Sequence, residues 1–85
     1  MDIEVMKAKA YVEISKYRLK VVKCLGDDLK TPTNIARDCG IRTNHISNVL
    51  RELKEYDVVE CINEEMRKGR LYKLTDKGLK VFNEL

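Results

Sequence analysis

The sequence contains no tryptophan and no glutamine, and only one proline, one histidine and one phenylalanine. One proline and four glycines are too few for a flexible linker, so each serves as local punctuation and residues 1–85 read as a single domain. The cysteines, Cys24, Cys39 and Cys61, are odd in number and form no Cys-x-x-Cys pair. That excludes a disulfide framework and, with His45 the only histidine, a zinc finger. The thiols read as small buried hydrophobes, with metal or redox sensing as the alternative. No run approaches the roughly 18 apolar residues of a membrane helix, so no membrane partner is expected. The start, Met1-Asp2-Ile3-Glu4-Val5, is acidic where a secretory signal would be basic, which points to the cytoplasm. Catalytic groups are missing too. His45 and Ser47, two apart on a helix, point about 200° away from each other, and no phosphate-binding glycine loop, paired-carboxylate cleft or metal-ligand cluster is visible. Neither enzyme activity nor a cofactor is expected.

What is present describes a folded chain. Hydrophobic residues make up 44% and charged residues 36%, too apolar a mixture for disorder. A domain this short buries only about 60 to 65% of its unfolded surface, and a partner chain is one way to add stability. Seventeen basic residues against fourteen acidic ones give a net charge of +3 and a pI of about 8.8, short of the strongly basic range. The distribution says more. Residues 66–73, Met-Arg-Lys-Gly-Arg-Leu-Tyr-Lys, hold four basic side chains and no acid. Abundant Lys, Arg and Glu beside absent Gln is also a composition met in proteins from hot environments.

Apolar periodicity orders the elements. Ile3, Met6 and Ala10 share one helical face and Val5, Ala8 and Val12 another, which predicts a helix over about 2–10. Ser15 caps a second helix carrying Val21, Val22 and Leu25, which Gly26-Asp27-Asp28 ends. Thr31-Pro32 opens a short third helix with Ile35 and Ala36 on its buried side, stopped at Cys39-Gly40. In the fourth, Ile46, Val49, Leu50 and Leu53 make one core stripe. The pattern then becomes β-prone over Val58–Ile62 and Leu71–Thr75, a hairpin spanning 58–75 with the charged tip Asn63–Arg70. Thr75 or Asp76 caps a last helix over 76–85 with the stripe Leu79, Phe82 and Leu85. The fold expected is mainly α with one β-hairpin, an α+β arrangement.

Residues 32–53 fit a helix-turn-helix. Ile35 anchors the first helix, Ala36 is small where the two helices cross, Gly40 supplies the positive φ of the tight turn, and Ile41 plugs the corner. With Thr31-Pro32-Thr33-Asn34-Ile35-Ala36, Gly40-Ile41, Ser47-x-x-Leu50-x-x-Leu53, Val58-Val59-Glu60 and Arg67-Lys68-Gly69-Arg70-Leu71-Tyr72-x-Leu74-Thr75-x-x-Gly78, the chain resembles a winged helix-turn-helix transcriptional regulator. The type is similar to small archaeal relatives of the MarR and ArsR groups, and the resemblance covers residues 16–80. It implies that the second helix of the motif enters the major groove of double-stranded DNA while the hairpin wing lies along the backbone or minor groove. Carried over, it assigns Arg42–Arg51 to the groove and Met66–Arg70 to the wing tip. The departure is Arg42, where relatives place a Ser or Thr cap; Thr43 is the substitute expected.

The residues support that assignment. With the Ile46 stripe turned inward, Asn44, Asn48, Arg51 and Glu55 point outward, flanked by Ser47, with Arg42, Thr43 and His45 at the helix start. Asn can pair bidentately with adenine and Arg with guanine, while hydroxyls reach bases or phosphates. Arg67, Lys68 and Arg70 suit phosphate contact or a narrow minor groove. The expected function is regulation by occupancy of an operator. The rival is a winged-helix module docking on a protein in a larger complex, which would want an apolar recognition face. RNA binding lacks an aromatic platform. No effector domain follows the wing, so no small-molecule effector is expected. Residues 1–14, apolar on two faces, are expected to form a homodimer, with the last helix contributing.

Overall fold

A computed structural model of the chain describes residues 2–85, and Met1 lies outside them. The elements run α1 (Ile3–Glu13), α2 (Lys16–Leu25), α3 (Pro32–Cys39), α4 (Thr43–Glu55), β1 (Val59–Cys61), β2 (Tyr72–Leu74) and α5 (Asp76–Glu84). Val21, Val22, Leu25, Ile35, Ile46, Leu53, Val58 and Val81 are fully enclosed and tie α2, α3, α4 and α5 to the hairpin in one core.

Helix α1 is longer than the 2–10 expected, because its last turn has partners. Val12 is buried with Val5 and Ala8, and Tyr11 stacks on Tyr56 beyond the end of α4, with centroids 3.7 Å apart and rings within 5° of parallel. The Arg18 guanidinium lies 3.7 Å over the Tyr11 ring and reaches Glu52 on α4 at 3.5 Å. The core therefore takes one apolar face of α1. On the other, Ile3, Met6 and Ile14 remain 66%, 52% and 78% exposed.

Three of the expected caps form. Ser15 Oγ accepts from the Arg18 amide, Thr31 Oγ1 from Asn34 and Thr75 Oγ1 from Gly78, at 3.3, 3.2 and 2.9 Å. Thr75 therefore takes the place left open between it and Asp76. Thr43 does not cap α4. It is already helical, and the N-cap is Arg42, which has no acceptor to offer the first-turn amides. Gly40 closes α3 at φ +69°, with the Ile41 amide donating to the Ala36 carbonyl at 3.0 Å, and Ile41 is buried. Asp57 ends α4 by the same device at φ +58°: Val58 donates to Leu53 and Asp57 to Lys54.

The hairpin strands are three residues each, with Val59 opposite Leu74, Glu60 opposite Lys73 and Cys61 opposite Tyr72. They are shorter than the 58–62 and 71–75 expected, although Thr75 donates to Val58 and Ile62 to Leu71 at 3.0 Å at the two ends. A third segment joins them. Lys30 pairs antiparallel with Tyr72, exchanging amide-to-carbonyl bonds of 3.0 and 2.8 Å, and so anchors the hairpin to the loop before α3.

The inner face of α5 also differs from the expected stripe. Gly78 and Val81 are buried, Leu79 and Phe82 are half-buried, and Leu85 is exposed. The cause is the missing side chain of Gly78. A Cβ there would strike the Val58 carbonyl oxygen and lie 3.2 Å from Leu74 Cβ, so only glycine lets α5 come this close and turn Val81 inward. Gly78→Ala is expected to lower stability by about 1 to 3 kcal/mol despite the better helix propensity of alanine, read as a drop in urea midpoint; a rise in midpoint would contradict this packing.

Candidate nucleic-acid interface

Helix α4 owes its position to its buried side, Ile46, Val49, Leu50 and Leu53, and that packing leaves Arg42, Thr43, Asn44, His45, Ser47, Asn48 and Arg51 exposed. Neither Arg42 nor Arg51 forms an ion pair among the described residues. Lys54 and Glu52, toward the far end of the helix, are engaged with Glu64 and Arg18. The exposed hydrogen-bonding and cationic groups thus run from Arg42 to Arg51, while Glu52 and Lys54 beyond them hold structural ion pairs. The His45 ring centroid lies 5.4 Å from that of Tyr17 on α2, so the imidazole is flanked on one side.

The wing tip is ordered by two side chains that sequence reasoning passed over or read differently. Asn63 Oδ1 accepts from the Leu71 amide at 2.8 Å, and its Nδ2 donates to the Gly69 carbonyl at 3.1 Å, closing the loop across its neck. Arg70 folds back: Nε donates to the Met66 carbonyl at 2.6 Å and an Nη to the Glu64 carbonyl at 3.1 Å. Of the three wing cations, Arg70 therefore shapes the loop, while Arg67 and Lys68 are exposed and unpaired among the described residues. An Asn at the end of a β-prone run was the available signal for the first of these; Arg70 carried none.

Because Lys30 holds β2 beside the loop before α3, the wing tip comes to the start of α3. Thr31, Pro32, Thr33 and Arg67–Arg70 line one open cleft of about 440 Å³. Backbone amides at a helix N-terminus and guanidinium or ammonium groups favour the same ligand, an anion. Lys30 itself is not available to it. Its Nζ donates to the Cys24 carbonyl at 3.1 Å and to Asp38 at 2.9 Å, and that pairing raises the Lys30 pKa and lowers the Asp38 pKa from their ordinary values.

No metal-binding cluster occurs among the described residues. The three thiols are free and half-buried. Cys39 packs against the core and donates to the Lys20 carbonyl at 3.6 Å; burial first, then the neighbouring Cys24, push its pKa up to about 12, so it stays an uncharged thiol at neutral pH. No described helix is long and apolar enough to cross a membrane.

No family model and no curated protein matches the sequence. Solved structures do match. A double mutant of Lactococcus lactis ZitR superposes with a TM-score of 0.73 at 20% identity, over 82% of this chain. This chain spans about half of ZitR, 49% of its length. The homodimeric winged helix-turn-helix DNA-binding domain of Mb0332 from Mycobacterium bovis, a possible ArsR-family transcriptional regulator, superposes with a TM-score of 0.74 at 19% identity, over 96% of this chain and 75% of that one. The fold is a winged helix-turn-helix: α3 and α4 are its two-helix motif and the β1–β2 hairpin its wing.

Arg70→Lys keeps the charge but loses the planar fork that holds two carbonyls at once. Faster amide exchange over residues 63–71 is expected, with the α4 amides unchanged. Equal exchange in both proteins would mean that the fork does not order the tip.

Proposed function

We propose that the chain is a transcriptional regulator that binds double-stranded DNA sequence-specifically and acts by occupying an operator. The observation that carries this reading is the cleft in which Arg67 and Lys68 meet the N-terminus of α3, on the same motif whose second helix exposes Asn44, Ser47, Asn48 and Arg51. Anion-holding groups then flank a helix whose outward side chains can read base edges. Arg42, Thr43 and His45 lie at the end of α4 that would lead into the groove. A protein-docking module would present apolar groups there instead.

Selection from random duplexes followed by gel-shift assays tests the reading. Asn44→Ala and Asn48→Ala are each expected to cost about 1 to 3 kcal/mol at one base pair and to relax preference there. Arg67→Ala and Lys68→Ala are expected to weaken binding to all sequences and to flatten the salt slope by about one unit each. A protein that retains no duplex even at low salt would overturn the proposal.

The same reading includes a twofold homodimer through α1 and α5, which pack side by side, with Glu4 and Lys77 paired between them at 4.0 Å. Ile3, Met6, Ala10 and Ile14 lie opposite the buried face of α1, an apolar strip that a second copy would cover. The homodimeric state of the Mb0332 domain supports this. Two such domains would read an inverted repeat with half-sites about 34 Å apart or a multiple of it. Deleting α1 would remove core residues Val5, Ala8 and Val12, so the informative change is Ile3→Glu/Met6→Glu. It is expected to convert a dimeric mass at micromolar concentration to a monomeric one with helicity retained; a wild-type protein that sediments as a monomer would exclude the dimer.

A further inference from the structure

Residues 16–23 hold four basic side chains and no acid, a second cationic run as dense as residues 66–73. Helix α2 divides the four. Arg18 turns inward, donating to the Tyr11 carbonyl at 2.9 Å and pairing with Glu52. Lys16, Lys20 and Lys23 recur at i, i+4 and i+7 on the face opposite Val21, Val22 and Leu25; all three are exposed and none is in an ion pair among the described residues.

This pattern works against the helix that carries it. Like charges four residues apart repel. Lys16 occupies the first turn, where the helix dipole disfavours a cation and α2 has no acidic residue to compensate. A helix face needing only solubility would mix signs, as Lys9 and Glu13 do on α1. An anion lying along the stripe would reverse both penalties.

The stripe also has a definite place. Tyr17, next to Lys16, packs at 5.4 Å on His45 in the first turn of α4. Cys39, the last residue of α3, donates to the carbonyl of Lys20. The wing thus meets the start of α3, and the lysine helix meets its end, beside the corner from which α4 emerges.

Resting on the DNA-binding reading above, we propose that Lys16, Lys20 and Lys23 form a second row of contacts to DNA phosphates, at the opposite end of α3 from the wing. The two rows would hold the backbone on either side of α4 and fix the angle at which it enters the groove. At about 1.5 Å rise per residue the stripe is some 10 Å long, about the axial rise of three base-pair steps at roughly 3.4 Å each.

The test measures binding of the intact chain to long duplexes across a salt series. It compares wild type, Lys16→Gln/Lys20→Gln/Lys23→Gln, and the same three positions changed to Arg, with circular dichroism confirming equal helicity. The Gln variant is expected to lose about 2 to 3 units of salt slope, equally on all sequences and with base preference unchanged. The Arg variant is expected to keep the wild-type slope. If wild type binds and the Gln variant shows the same slope, the second row is wrong while the proposed function stands, and the lysines serve solvent or another partner. If the Arg variant loses as much slope as the Gln variant, charge is not the cause and the proposal falls. If wild type binds no duplex, both readings fall together.

Discussion

The pair of backbone hydrogen bonds between Lys30 and Tyr72 decides how the wing and the two-helix motif lie relative to each other. Without them the wing would be a two-stranded hairpin held by the burial of Val59 and Leu74 in the core, with nothing tying it to the loop before α3. With them it becomes part of a three-segment sheet whose third member is the loop leading into α3. The side chain of Lys30 reinforces the same point, tying that loop to the end of α2 and to Asp38 on α3. One residue therefore fixes the wing, the entry to α3 and the end of α2 at once.

Close approach at the other end of the hairpin completes the frame. Thr75 Oγ1 accepts from the Gly78 amide while donating to the Asp57 carbonyl at 2.5 Å, so one buried hydroxyl both caps α5 and holds the turn after α4. Gly78 lets α5 rest on the Val58 carbonyl. Helix α1 is clamped from outside, by Tyr11 stacked on Tyr56 and Arg18 inserted beneath. These contacts are specific rather than extensive, as suits a chain with little area to bury. They leave Lys16, Lys20 and Lys23 on α2, Asn44, Asn48 and Arg51 on α4, and Arg67 and Lys68 on the wing exposed and outside these contacts.

Much of this was legible in the residues because it is local. Ser15, Thr31 and Thr75 cap helices through amides three residues away, and Gly40 and Ile41 complete a turn within six residues. The core stripe of α4 follows from periodicity alone, and so does the exposure of Asn44, Asn48 and Arg51. Thr43 as a cap failed for a local reason as well. Arg42 already holds the extended N-cap conformation, so the helix begins without a side-chain acceptor. The stripe of α5 held in part, for a tertiary reason: Leu79 and Phe82 pack against the core, but the glycine contact with Val58 makes Val81 the fully buried side chain and Leu85 is exposed.

The sequence by itself determined the order of the elements, the helix boundaries that carry their own caps, and which side of α4 is buried, since each depends on neighbours within one or two turns. Tertiary structure alone decided that Lys30 bridges to Tyr72, that Arg70 shapes the wing while Arg67 and Lys68 stay free, and that Arg18 leaves its three neighbouring lysines to face outward. Those outcomes depend on groups brought together from distant parts of the chain. Periodicity records which face of a helix is apolar, but it carries no information about what that face will meet.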